Sequence, residues 1–147
     1  MKVKAILSKT AKLPACASDG AACFDFHADI IGKRQVAPGR QEAIPTGVKM
    51  EVPDDHVLLV FSRSGHGFNK AVRLANCVGV IDSDYRGEIQ VALRADGQHI
   101  LDVNPGDRIA QGLILPISRV EFELAEELSS TDRGTNGFGS TGTGSLT

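Results

Sequence analysis

The sequence predicts an all-β domain, a sandwich or barrel with one short helix. Three observations carry this. Apolar and polar residues alternate with period two in several segments, which is the pattern of strands with one buried face. Turn-forming clusters of Pro, Gly, Asn and Asp separate those segments. No stretch holds a helical period over three turns, so strands must supply the core. At 147 residues the chain is long enough for one domain with a real core and short for two.

The elements can be justified in order. The amino end, "MKVKAILSKTAKLP", interrupts its apolar residues with lysines and lacks the apolar block of a secretion signal. "GAACFDFHAD" reads as a strand with Asp25 between Phe24 and Phe26. Alternation puts that carboxylate on the solvent face unless it is held for a purpose. After a turn at Pro38-Gly39, Val48, Met50 and Val52 alternate with Lys49 and Glu51, and Pro53-Asp54-Asp55 closes that strand. Val57 to Phe61 is the longest uninterrupted apolar run, far too short to cross a bilayer, and with the amino end it points to a cytosolic protein. A short helix is expected after Arg63-Ser64-Gly65, with a serine capping a turn that leads through Phe68 and Val72.

"NCVGVI" is a strand that runs directly into the acidic turn "DSDYRGE", and Ile89, Val91 and Leu93 form the return strand. Turns at Asp96-Gly97 and Asn104-Pro105-Gly106-Asp107 precede "RIAQGLIL", in which Gln111 enters the apolar run Leu113-Ile114-Leu115 and needs a partner if buried. Val120, Phe122 and Leu124 alternate with Glu121 and Glu123, which predicts one more strand with a buried face. After Leu128 the composition becomes nearly all Gly, Ser and Thr, which divides the chain into a β domain over 1–128 and a tail over 129–147. The tail is a flexible terminus by composition. Arg133 and Phe138, a cation and a large ring with no core to enter, instead suit a lid that orders round a phosphate, its glycine-flanked N–H groups curling about the anion.

Composition removes several function classes. The content is 41% apolar and 23% charged, ordinary for a globular protein, and the net charge of -2 gives no footprint for wrapping a nucleic acid backbone. Three cysteines (Cys16, Cys23, Cys77) without a C-x-x-C pair argue against a disulfide framework or thiolate zinc site and read as reduced, mostly buried thiols. The four histidines match no common metal-ligand spacing.

Chemistry concentrates in three places. "SRSG" brings Arg63, Ser64 and Gly65 to a helix start, where N–H groups favour an anion, although a capped helix with a surface arginine explains the same residues. "PGDRIAQ" reads as a turn and strand with Arg108 exposed. The hairpin gathers Asp82, Asp84 and Glu88 with Tyr85 and Arg86. It is either a solvated loop or a site where one carboxylate is general base towards water and others hold a divalent metal.

Five stretches, "ACFDF" (Ala22 to Phe26), "RSG" (Arg63 to Gly65), "GVIDSDYRGE" (Gly79 to Glu88), "GDRIAQ" (Gly106 to Gln111) and "RGTNGFGSTG" (Arg133 to Gly142), resemble in order the five motifs of the trimeric dUTP pyrophosphatase (dUTPase) family. The resemblance implies a β jelly roll and hydrolysis of dUTP to dUMP and pyrophosphate, an activity that keeps uracil out of DNA and supplies dUMP for thymidylate. It implies that Asp82 orients and deprotonates the attacking water. Asn76 and Gly79 would read the base, Tyr85 would pack under the deoxyribose, and Phe138 would stack over uracil. Arg63, Ser64, Gly65, Gln111, Arg133, Ser140 and Thr141 would contact phosphates, and Asp25 would hold Mg2+ through water. It further implies a homotrimer in which each site takes the hairpin from one subunit and the tail from another. Cys23, Ser62 and His66-Gly67-Phe68 depart from the family pattern. The same fold occurs in dCTP deaminase, whose pattern lacks the "DSDYRGE" hairpin, and a silent dUTP-sensing module would keep the motifs without turnover.

Overall fold

The computed structural model describes residues 1–138. It contains twelve strands and one helix: β1 (Lys4–Leu7), β2 (Ala15–Cys16), β3 (Phe24–His27), β4 (Arg34–Val36), β5 (Gln41–Pro45), β6 (Val48–Glu51), β7 (His56–Phe61), α1 (Ser64–Lys70), β8 (Val72–Leu74), β9 (Val78–Ile81), β10 (Gln90–Ala95), β11 (Leu101–Val103) and β12 (Arg108–Pro116). The largest sheet has the order β2-β3-β12-β7-β9, and three smaller ones pair β5-β10-β8, β11-β4 and β1-β6, all antiparallel. Non-sequential neighbours such as β3, β12 and β7 arise because long connections carry the chain between sheets, the jelly-roll arrangement.

Alternation located the core correctly in most strands. Val48 and Met50 are buried while Lys49 and Glu51 face solvent, and Ile89, Val91 and Leu93 are each about 1% exposed. They join Phe26, Ile44, Leu58, Leu74 and Ile109 in one apolar cluster between the sheets. The turns fall where Pro, Gly, Asn and Asp stand. At Asn104–Asp107 the Asp107 carboxylate accepts the Asn104 N–H at 2.8 Å, and Gly106 takes φ +78°, a conformation a Cβ disfavours.

Four sequence expectations are corrected. Val120, Phe122 and Leu124 form no strand in the described chain: the last strand ends at Pro116, and the three side chains are 69%, 92% and 102% exposed. Alternation states which face wants burial, not that the same chain supplies a partner. Cys16 and Cys77 are exposed and Cys23 is half-buried, because the first two stand on a two-residue strand and in a turn rather than on a core face. Asp25 is not on a solvent face, as its side chain is only 13% exposed. In α1, Arg63 rather than a serine occupies the N-cap, without a side-chain cap bond. The helix stops at Lys70, where Ala71 turns left-handed (φ 49°), so Val72 belongs to β8 and Phe68 is exposed.

Candidate active site

β12 lies between β3 and β7, and its register places Gln111 opposite both Asp25 and Phe61. Because the side chains of directly paired residues share one face, this register collects the polar residues of three separate motifs at one end of the sheet. Asp25 Oδ1 accepts from Arg63 Nε at 3.3 Å and Oδ2 from Arg108 Nη1 at 3.1 Å. Arg63 also donates from Nη1 to the Arg108 carbonyl at 3.3 Å, so the two arginines are tied to each other as well as to the acid. Gln111 finds the partner its burial requires, donating to the Ser62 carbonyl at 3.1 Å. Ser64 and Gly65 follow on the first turn of α1, both exposed.

Beside this cluster is a polar cavity of ≈ 260 Å³ lined by Arg63, His66, Lys70, Asp102, Asp107 and Arg108. Its acids accept hydrogen bonds, Asp102 from Lys33 and Gln35 and Asp107 from the Asn104 N–H, and two of its cations, Arg63 and Arg108, are paired with Asp25, which leaves Lys70 without an ion-pair partner among the described residues. The His66 imidazole is held below its ordinary value of 6.5 by burial first, then by the charges of Lys70 and Arg63. His27 is lowered in the same sense by burial and by Lys12, against a smaller opposing effect of Asp25, and its Nδ1 is buried without a hydrogen-bond partner among the described residues. Three cations thus line one cleft, beside a histidine whose charged form is disfavoured.

β9 forms the edge of the same sheet. Val60 pairs with Gly79 and Leu58 with Ile81. A cleft of ≈ 140 Å³ opens there, lined by residues that include Val60, Asn76, Gly79, Ile81 and Gln90. It is small against the roughly 300 Å³ of a full ligand pocket, a size for one ring rather than a whole nucleotide. Gly79 closes one wall tightly, since a Cβ there would lie 3.2 Å from Val60 Cβ.

Asp82 follows Ile81 directly, so the β7–β9 ladder fixes its backbone. Its side chain is exposed and makes no hydrogen bond among the described residues. Tyr85, 43% exposed, closes the turn: its N–H donates to the Asp82 carbonyl at 3.2 Å and its hydroxyl to the Glu88 carbonyl at 3.0 Å. Arg86 donates to the Ser83 carbonyl at 2.6 Å and braces the loop rather than neutralising its acids. Glu88 is likewise engaged, by the Gly47 N–H at 2.8 Å. A metal cage built from hairpin acids is not found: among the described residues no three His, Cys, Asp or Glu side chains are arranged to hold an ion.

One chain does not bring all these residues together. Ile81 pairs with Leu58, which puts Asp82 level with Val57, four residues before Phe61, the residue level with Gln111 and Asp25, so Asp82 stands roughly 13 Å along the strand direction from the arginine-braced acid. Arg133 donates to the Asn136 carbonyl at 3.1 Å within its own turn, and Phe138 is fully exposed. Ser140 and Thr141 lie outside the described residues. Sequence reasoning undervalued Arg108, read as an exposed arginine after a turn, and did not find His66 or Lys70. The cavity that brings His66 and Lys70 beside Asp107–Ile109 is a tertiary juxtaposition that leaves no local signal.

Together these features define a jelly-roll protein with an arginine-braced carboxylate at one end of its main sheet and a ring-sized cleft on the edge strand. A family model described as dUTPase matches residues 9–142, and the chain belongs to the dUTPase family. Among curated relatives, the deoxyuridine 5'-triphosphate nucleotidohydrolase of Desulfitobacterium hafniense is 48% identical over 135 residues, 91% of this chain and 89% of the relative. That of Anaplasma marginale is 44% identical over 131 residues, 89% of each chain. Among solved structures, Staphylococcus bacteriophage 80alpha dUTPase with dUPNHPP superposes with a TM-score of 0.86 at 26% identity, covering 96% of this chain and 98% of the other. A dUTPase mutant from phage phi11 of S. aureus, described as coordinating a structural Mg(II) ion, has the same fold (TM-score 0.79, 22% identity, 88% and 100% covered).

Proposed function

We propose that this protein hydrolyses dUTP to dUMP and pyrophosphate by attack of water on the α-phosphorus, as a cytoplasmic homotrimer with shared sites. The observation that carries the reading is the state of the carboxylates. Asp25 is occupied by two arginines and Glu88 by a backbone N–H, whereas Asp82 stands on a fixed strand end with its oxygens free to accept a proton from water. Asp84 is also exposed but sits in the turn itself, without the ladder that holds Asp82.

In this mechanism uracil enters the cleft between Asn76 and Gly79, where fixed backbone donors and acceptors distinguish it from cytosine, and the tight packing at Gly79 leaves little room for a thymine methyl. The open face of Tyr85 receives the deoxyribose. Arg63, Ser64, Gly65 and Gln111 receive the phosphates, and the tail with Arg133, Phe138, Ser140 and Thr141 closes over them. Closure costs conformational entropy, so a ligand bearing both base and triphosphate favours it most.

The residues present fit Mg2+ held through water: Asp25 offers one carboxylate whose arginine contacts leave lone pairs for a hydration shell, and among the described residues no inner-sphere cage competes. When bound, the ion neutralises charge on the leaving pyrophosphate. The separation of Asp82 from Arg63 within one chain supports the shared-site trimer, in which a neighbour's hairpin meets this chain's arginines. No helix of the described chain is long and apolar enough to cross a membrane, in keeping with a cytoplasmic location.

The test is pyrophosphate release from dUTP with Mg2+, beside dCTP, dTTP and UTP. Release is expected from dUTP alone, and Asp82→Asn should lower it about 10²–10⁴-fold while dUTP still binds. Wild-type binding without release would favour a nucleotide sensor, and ammonia from dCTP a deaminase.

A further inference from the structure

The strand that leaves the hairpin is fastened to Thr46–Val48 by bonds that the reaction itself does not use. The Gly47 N–H donates to Glu88 Oε1 at 2.8 Å, and the Ile89 N–H donates to the Val48 carbonyl at 2.9 Å. The Thr46 hydroxyl donates to the Ile89 carbonyl at 2.6 Å and accepts the Val48 N–H at 3.2 Å. Thr46, 1% exposed, is the only buried polar side chain among the described residues. A buried hydroxyl costs stability unless both its capacities are used, and here both are.

Gly47 is itself immobilised. It takes φ +66°, its carbonyl accepts the Ser8 N–H at 2.8 Å, and a Cβ on it would overlap the Asp29 carboxylate and lie 2.7 Å from Ser8 Oγ. On its other side Glu88 holds the tyrosine, because its carbonyl accepts the Tyr85 hydroxyl. Gly87 completes the seat: a Cβ there would run into the Tyr85 ring, 2.5 Å from Cζ. The position of the Tyr85 ring thus depends on Glu88, and Glu88 is pinned to the rigid link between β5 and β6.

We propose that Glu88, anchored by Gly47 and seconded by Thr46, is a positioning residue that sets the Tyr85 ring against the sugar and so governs selection of deoxyribose over ribose. This rests on the proposed role of Tyr85 in dUTP hydrolysis. The physical reason is that a steric filter for one hydroxyl works only if its wall is fixed to a fraction of an ångström. A charge-assisted bond to a locked N–H fixes it better than an isolated turn can.

The chain has one tyrosine and no tryptophan, so incorporated fluorotyrosine gives a fluorine NMR line from Tyr85 alone. In the ligand-free full-length protein, Glu88→Ala is expected to move or broaden that line. It should also lower the dUTP-over-UTP ratio of kcat/KM roughly tenfold, through loss of a steric wall worth little more than one contact. Glu88→Gln keeps an acceptor of the same reach and should restore both readouts. Tyr85→Phe added to Glu88→Ala should cost little more, since the two act as one unit. Should Glu88→Ala not fold, Glu88→Asp, which keeps the charge but cannot reach Gly47, carries the same expectation. A folded variant with an unmoved line, or a moved line with selectivity intact, would overturn the proposal. Wild-type protein releasing no pyrophosphate from dUTP would defeat the catalytic reading instead, and the fluorine line would still decide whether Glu88 places Tyr85.

Discussion

Asp25 shows how alternation alone can misplace a residue. Period two sends it to solvent, but register on β12 brings Arg108 across to it and the end of β7 brings Arg63. A carboxylate between two guanidiniums in a mostly covered site does more by holding them apart than by any one bond, and removing it leaves two facing cations. Asp25→Ala should therefore lower stability by roughly 1–3 kcal/mol and make turnover insensitive to Mg2+. A urea midpoint and a Mg2+ titration check this, and an unchanged metal dependence would take Asp25 out of the metal's reach. His66 and His27 give a second residue-scale prediction. Both are depressed in the folded state, so below their ordinary value of 6.5 the unfolded chain binds more protons and stability falls as pH drops from about 7 towards 5. The urea midpoint should follow that curve and flatten in His66→Gln. A midpoint flat across this range would show that neither histidine is linked to folding.

At the scale of elements, the strand and acidic turn were legible, but the expected return strand does not pair back as a hairpin, since β9 joins β7 while β10 joins β5 and β8 in another sheet, and the carboxyl-terminal arm was misread. "GVI" followed by "DSDYRGE" announces a strand and a turn, and β9 with its loop are where the sequence puts them. Val120, Phe122 and Leu124 announce a buried face as clearly, yet in one chain the face is bare. Exposed large apolar residues at alternating positions beyond the last strand suit contact with a neighbouring subunit of the proposed trimer. Replacing Phe122 and Leu124 together by Asp should leave the strand spectrum of the domain intact and shift the proposed trimer towards single chains of 15.6 kDa, as light scattering would read. Retention of three times that mass would exclude the arm from assembly.

The whole molecule is where the proposed chemistry is completed. With Asp82 roughly 13 Å along the strand direction from Asp25 and the tail engaged with neither among the described residues, catalysis by a trimer predicts complementation. Asp82→Asn and Arg133→Ala subunits should each be nearly inactive alone. Unfolded and refolded together in equal amounts, they should recover activity in roughly a quarter of the sites, those taking an intact hairpin from one variant and an intact tail from the other. No recovery in mixed trimers of confirmed composition would place each site within one chain.

What the sequence by itself determined is set by short-range physics. Period-two alternation fixed which faces are buried in β6 and β10, Pro, Gly, Asn and Asp fixed the turns, and five spaced motifs fixed the family, because each of these signals is written in a few adjacent residues. Tertiary structure alone decided the rest. That Arg108 grips Asp25 across 83 positions of chain, that Glu88 is tied to Gly47 while Asp82 is left free, and that Thr46 is buried follow from strand register and sheet order. Those are set by the fit of the whole core and cannot be summed from local preference.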